Sequence, residues 1–299
     1  GVRNELAKVE GPRKRIADWA IGAVRSYHRS DMAGEASPAS QVAYQVARRL
    51  VTDGIKARIG FDATRIALSG AAAISAEVLD FLAGIDLVVR EVYGQSEDTG
   101  PTTINTEGST RFGTVGKPWP GTKVTIGDDG EVLVEGRHVF AGYLGDEAAT
   151  AATLADGRLH TGDVGRFDED GFLVLTGRKK EIIVTSGGKN IAPKPLESML
   201  KGEEGIAEAM VVGEARDYLT ALVVLDEGIG AGEGKELVAA AVARVNRRLA
   251  RVEHIRRFEI LPGALSIEAG ELTPTLKVKR GVVEAHYADL IAGMYPTAT

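Results

Sequence analysis

The sequence predicts an α/β fold in two parts, and three observations carry that expectation. Residues 65–92 run strand, small-residue loop, helix, strand, the order of a βαβ unit. Short alternating strands parted by a Gly-Asp turn follow, and read as a small β-rich subdomain. Near residue 180 the character changes, and residues 180–299 alternate helix and strand as a compact α+β domain of ordinary size does.

Residues 1–60 read as helical, because Val42, Val46 and Leu50 recur at i, i+4 with Arg48 and Arg49 between them. RIAL (65–68) suits a short strand and leads into SGAAAIS. AEVLDFLAG (76–84) reads as a helix, and DLVVREV (86–92) as a buried strand that ends at YGQSEDTG. KVTI (123–126) and EVLVE (131–135) are strands about the turn GDDG. GDEAATAATLA (145–155) reads as a helix, and FDEDGFLVLTG (167–177) as a hairpin turning at DEDG. Beyond 180 come the strand EIIVT, the helix KPLESMLKG, the strands AMVVG and TALVVL, and the helix KELVAAAVARVNRRLA. The strand RRFEIL and a last helix from about 279 complete the order. The stretch DEGIGAGEG (226–234) fails the G-x-G-x-x-G spacing, is flanked by Glu, and reads as a solvated loop.

Composition removes several function classes. The chain has 299 residues, 44% hydrophobic and 26% charged, as in a globular protein, with few aromatics and abundant Gly. A net charge of −6 argues against nucleic acid as a partner. The absence of Cys excludes disulfides, a Cys-type zinc site and a thiol nucleophile, and fits a reducing, cytoplasmic setting. No apolar run approaches the roughly 20 residues that span a bilayer, and GVRNELAKVEGPRKR lacks a signal-peptide core.

Four stretches carry candidate chemistry. In HTGDVGRFDEDG (160–171), Asp163 can present both carboxylate oxygens to a vicinal diol, or serve as an ordinary turn residue. In GRKKE (177–181), Arg178 can grip the same sugar or a phosphate, or belong to a solvated charge run. In YGQSEDTG (93–100), the Tyr93 ring can stack on a purine, and Ser96 and Glu97 offer oxygen ligands suited to Mg²⁺. The hydrolase elbow G-x-S-x-G is missed there, since Asp98 stands at its last position. ELTPTLKVKR (271–280) sets Lys277 on a Thr/Pro-rich loop just before a helix.

Together these stretches resemble the adenylate-forming superfamily of acyl-CoA synthetases, luciferases and peptide-synthetase adenylation domains. The resemblance runs from about residue 65 to 292 through SGAAAIS, VYGQSEDTG, FGTVGKPWPG, GEVLVEGRHVFAGYL, DGRLHTGDVGRFDEDGFL, TGRKKEIIVTSGGKNIAP and LTPTLKVKR. TSGGKNIAP with LTPTLKVKR points to the long-chain acyl-CoA synthetase branch, and YGQSEDTGP with GRHVFAGYL resembles its bubblegum-type members.

The resemblance implies a fold and a set of roles. Residues 1–179 would be the C-terminal part of a large nucleotide- and acyl-binding domain, and 180–299 a mobile lid domain hinged at Lys180. Lys277 would bridge the carboxylate and the α-phosphate, while Glu97 and Ser96, the latter in place of the usual Thr, would help to hold Mg²⁺. Tyr93 and Gly94 would border the adenine, and Gly70, Ala71 and Ala72 would line the purine edge and the acyl entrance. Asp163 would chelate the ribose hydroxyls with support from Arg178. Gly187 and Gly188 would let the backbone approach the coenzyme A thiol. Fatty acid, ATP and coenzyme A are the implied substrates, with a peripheral membrane contact as a further expectation. The alternatives are an acyl-AMP ligase serving a carrier protein and a silent nucleotide-binding module. The family's Ser/Thr/Gly-rich phosphate loop is absent from this sequence, so the chain reads as the C-terminal half of a longer synthetase that is weak or inactive alone.

Overall fold

The computed structural model describes residues 2, 6, 8–72 and 74–295. Its contacts divide the chain into two units: residues 1–161 with 165–175, and residues 162–164 with 176–299.

The first unit opens with helices, as residues 1–60 predict: α1 (Gly11–Met32), α2 (Pro38–Ala47) and α3 (Asp53–Arg58), with a π-helical turn at Arg48–Thr52. Reciprocal serines start α2. The Ser40 amide donates to Ser37 Oγ at 3.1 Å and the Ser37 amide to Ser40 Oγ at 3.0 Å. Ala20 and Val24 of α1 bury against Ala47. The predicted apolar repeat is helical but faces outward: Val42 is 66% exposed and Leu50 66%.

These helices are tied to the next element through Asp86, a buried residue with φ of 63°. Lys56 Nζ reaches its carboxylate at 2.5 Å, His28 Nε2 at 2.9 Å and the Tyr44 hydroxyl at 3.0 Å. Burial alone would push this carboxyl up, but the His28 and Lys56 hydrogen bonds outweigh it and hold Asp86 at about 2.

The βαβ unit forms as the sequence predicts. β1 (Ala67–Ser69) pairs parallel with β2 (Val89–Gln95), and α4 (Ala76–Gly84) connects them. Ser75 caps α4 by accepting the Val78 amide, and Leu79, Ile85, Leu87 and Val89 form its core. β3 (Gly100–Ile104) and β4 (Lys117–Pro118) extend this sheet antiparallel. The β-rich subdomain is a second sheet in the order β5 (Lys123–Ile126), β6 (Glu131–Glu135), β8 (Arg158–Phe167), β7 (Leu154–Ala155), with β9 (Leu173–Arg178) also on β8. A short helix, α5 (Glu147–Thr153), precedes β7.

The second unit centres on β12 (Ile206–Val212), β13 (Leu219–Leu225) and β14 (Ile255–Ile260). β13 lies between an antiparallel and a parallel neighbour. Side chains alternate between the two faces of β12. Ala209 and Val211 join Leu196 and Leu200 of α6 (Pro193–Lys201) and Val238 and Val245 of α7 (Ala231–Asn246). Met210 and Val212 join Val283 of α8 (Arg280–His286) and Met294, which follows α9 (Ala288–Gly293).

Two local expectations change here. EIIVT is a strand only at β10 (Ile183–Val184), paired with β11 (Asn190–Ile191), because two residues are all the partner offers. DEGIGAGEG is a loop only up to residue 230, since α7 begins at Ala231. Gly234 lies against the Leu225 side chain, whose Cδ1 a Cβ at that position would meet at 2.3 Å.

Candidate active site

In the first unit the candidate residues lie at the end of β2 and on the loop after β1. Gly94 sits at a bulge, where the β2–β3 register shifts. A Cβ there would lie 1.7 Å from the Gly100 carbonyl oxygen, so the hairpin itself demands glycine. At Gly70 a Cβ would come within 2.9 Å of the Val92 carbonyl oxygen. Both glycines are therefore needed by this chain's own packing, whatever ligand approaches them. Ala71 is exposed and held at φ of 66°, and Ala72 is exposed beside it.

Ser96–Asp98 form a 3₁₀ turn that sorts its side chains by burial. Asp98 is turned inward, accepting the Gln95 amide at 2.8 Å and the Thr102 hydroxyl, and burial pushes its carboxyl up. Ser96 is exposed and Glu97 half-buried. The backbone of Glu97 accepts the Phe140 amide at 2.8 Å, and its Oε1 accepts the Tyr143 hydroxyl at 2.7 Å. That hydrogen bond pushes the Tyr143 phenol up. The segment Phe140–Tyr143 thus holds the acid in place, a link that spacing alone does not reveal.

Tyr93, expected to stack on a purine, is 7% exposed and packs with Val124, Val132, Val134, Leu159 and Leu173. The alternation of β2 turns Val89, Glu91 and Tyr93 to the buried side, so most of the ring belongs to the core. Glu91, on that same side, was not singled out from the sequence. It is 8% exposed, and its Oε2 has no hydrogen bond among the described residues. Burial pushes it up to about 7. The available signal is a Glu in phase with the apolar positions of a strand.

In the second unit three local structures carry the remaining candidates. Gly162 lies within β8 with φ of 70°, and Asp163 follows it on the same strand, at a position that the alternation of β8 buries. Asp163 is buried, and its Oδ1 accepts Arg178 Nε at 2.8 Å, while Arg178 itself stays exposed. The two residues expected to share a ligand are thus paired. Lys180 is exposed on a 3₁₀ turn, Lys179–Glu181, closed by the Ile182 amide donating to the Arg178 carbonyl at 3.0 Å. The basic knot is therefore a formed turn.

SGGKN is the tip of the β10–β11 hairpin. Gly188 has φ of 71°, and both Gly187 and Gly188 are exposed. The hairpin is anchored by Ser186, whose hydroxyl donates to Asp217 at 2.5 Å and whose amide donates to the Arg216 carbonyl. Lys277 lies exposed near the end of a second small hairpin, bridged at Leu272 and Val278, in which the Thr273 amide donates to the Lys277 carbonyl at 2.8 Å. The Lys277 amide donates back to Thr273 Oγ1 at 3.0 Å.

Comparisons with known proteins add to this geometry. A family model described as AMP-binding enzyme matches residues 30–144, and one described as AMP-binding enzyme C-terminal domain matches residues 180–299. The long-chain-fatty-acid–CoA ligase FadD15 of Mycobacterium bovis is 44% identical over 267 residues, covering 83% of this chain and 44% of that protein. The long-chain-fatty-acid–CoA ligase ACSBG2 of Gallus gallus is 33% identical over 335 residues, covering 98% of this chain and 44% of that protein. Among solved structures, the AMP-bound A-PCP didomain of a carboxylic acid reductase from Segniliparus rugosus superposes with a TM-score of 0.68 at 23% identity, over 92% of this chain and 40% of that one. An ATP-bound RpMatB-BxBclM chimera gives a TM-score of 0.62 at 28% identity, over 75% of this chain and 46% of that one. The chain spans about half the length of the curated relatives it matches. With both family models in register and the seven motifs in order between them, the chain belongs to the adenylate-forming family of AMP-binding enzymes.

Proposed function

We propose that this chain forms the ribose-binding, thiol-entry and lysine-bearing parts of an AMP-forming long-chain fatty acid–CoA ligase in the cytoplasm. The observation that carries the reading is Lys277, solvent-facing on a braced hairpin of a domain that also holds the Asp163–Arg178 pair. Joining a carboxylate to the α-phosphate of ATP brings two anions together, and a preorganised cation between them lowers that barrier. Asp163 would accept from the ribose hydroxyls with Arg178 fixing its orientation. The exposed Gly187–Gly188 tip would border the pantetheine thiol in the second half-reaction. Rotation of the lysine-bearing domain about Lys180 would exchange the two arrangements.

Among the described residues no group of three or more His, Asp or Glu is arranged to hold a metal. Ser96 and Glu97 fit a Mg²⁺ ion that keeps its waters and takes most of its ligands from phosphates. Such an ion would offset triphosphate charge, and Glu97, held by Tyr143, would fix where it sits.

The test is pyrophosphate release with palmitate and ATP, run on this chain and on this chain joined to the preceding half of the Mycobacterium bovis relative. Slow or no turnover by the chain alone and ready turnover by the joined protein are expected. Lys277→Ala should lower acyl-adenylate formation by about 10²-fold or more, about 3 kcal/mol, and spare thioester formation from supplied palmitoyl-adenylate. Equal loss in both half-reactions would refute the rotating-domain account.

A further inference from the structure

Outside the residues already assigned, the Lys277 hairpin carries a buried acid at its base. Glu271 is 4% exposed, though it opens a loop of mostly solvent-facing residues. Both carboxylate oxygens have partners: Oε2 accepts the Ser266 amide at 3.0 Å, and Oε1 faces His286 Nδ1 at 3.2 Å. Its backbone carbonyl accepts the Lys279 amide at 2.7 Å. Burial acts to raise the carboxyl, but the Ser266 amide and His286 prevail and hold it below the usual range.

This acid closes the hairpin from one side. Just above it, Leu272 bridges to Val278, and the Thr273–Lys277 bonds form the narrow end, where Leu276 sits at φ of 60°. On the other side Arg280 is clamped in turn, donating to Glu197 and to the Val211 carbonyl. Lys277 thus sits between two charged anchors, and the Glu271 side chain ties the Ser266 amide to His286 of α8. Without that tie the hairpin is less firmly seated on the domain, and its short-range bonds open more often.

We infer that Glu271 is a positioning residue: by joining the Ser266 amide to His286, it fixes the direction in which Lys277 is presented. The inference rests on the reading of Lys277 as the residue that meets the reacting anions. Small displacements of such a group are costly, since about 1 Å of misplacement can cost about 10²-fold in rate.

The experiment compares Glu271→Gln, which keeps one acceptor oxygen, and Glu271→Ala with the parent chain. In the 299-residue chain, amide exchange at Thr273, Leu276 and Lys277 should quicken about 10-fold in Glu271→Ala, on the scale of one lost hydrogen-bonded anchor. Exchange in β12 and β13 should stay unchanged, which separates loss of the seat from loss of the fold. In the joined protein, acyl-adenylate formation should fall by about 10²-fold in Glu271→Ala. Glu271→Gln should recover part of it, and thioester formation from supplied palmitoyl-adenylate should be untouched. Unchanged exchange at the hairpin overturns the inference whatever the activity. Quickened exchange with both half-reactions unaffected also overturns it, leaving Glu271 a structural residue. Quickened exchange in a protein where Lys277→Ala is itself harmless would instead sink the adenylation reading.

Discussion

Glu91 is an acid buried on the inner side of β2. Its ordinary value is 4.5 and burial lifts it to about 7, against the pull of the Gly113 and Ile74 amides. An acid whose folded value lies above its unfolded one takes up its proton first in the folded state. The fold therefore gives up stability as pH rises from about 4.5 through 7. Glu91→Gln should match the parent at pH 4 and exceed it at pH 8 by on the order of 2 kcal/mol. Urea melts at the two pH values check this, and equal differences at both would contradict it. Residue-scale legibility was uneven. The pairing of Asp163 with Arg178 was readable because both lie in compact local motifs. The burial of Tyr93 was not, because it is made by Val124, Val132 and Leu173, which reach it only after the second sheet has formed.

At the scale of elements, the sequence was most informative where a single face is buried. KVTI, EVLVE and AEVLDFLAG form the segments expected of them, since alternation or helical spacing is enforced from within each segment. EIIVT falls short because strand length is set by the partner, and AGEG is the first turn of α7, whose Gly234 lies against Leu225. The link between the first helices and the βαβ unit was invisible, as it depends on four residues converging on Asp86 from 28 to 56. Its depressed carboxyl yields stability that is complete above the ordinary value of 3.8 and lost as pH falls through about 2. Asp86→Asn should cost about 3 kcal/mol near neutral pH, as removal of one member of a buried charge cluster does. The difference should vanish near pH 2, by urea melts followed by circular dichroism. A cost that persists at pH 2 would place the effect outside the charge.

At the scale of the whole molecule, the residues form two units, each with hydrophobic clusters of its own. No helix among the described residues is long and apolar enough to cross a membrane. Motif order along the chain was legible throughout, because it is a property of sequence alone.

The outward stripe on the first helices governs how this chain behaves in a tube. Ile16 and Leu50 line one shallow groove, with Trp19, Val42 and Val46 also in contact with solvent. So much uncovered hydrocarbon makes molecules adhere to one another as they are concentrated. Sedimentation velocity should show the average mass climbing with loading, and Leu50→Lys together with Val46→Lys should flatten that climb without altering the circular dichroism spectrum. A particle of constant monomeric mass at every loading would mean that the stripe is inert.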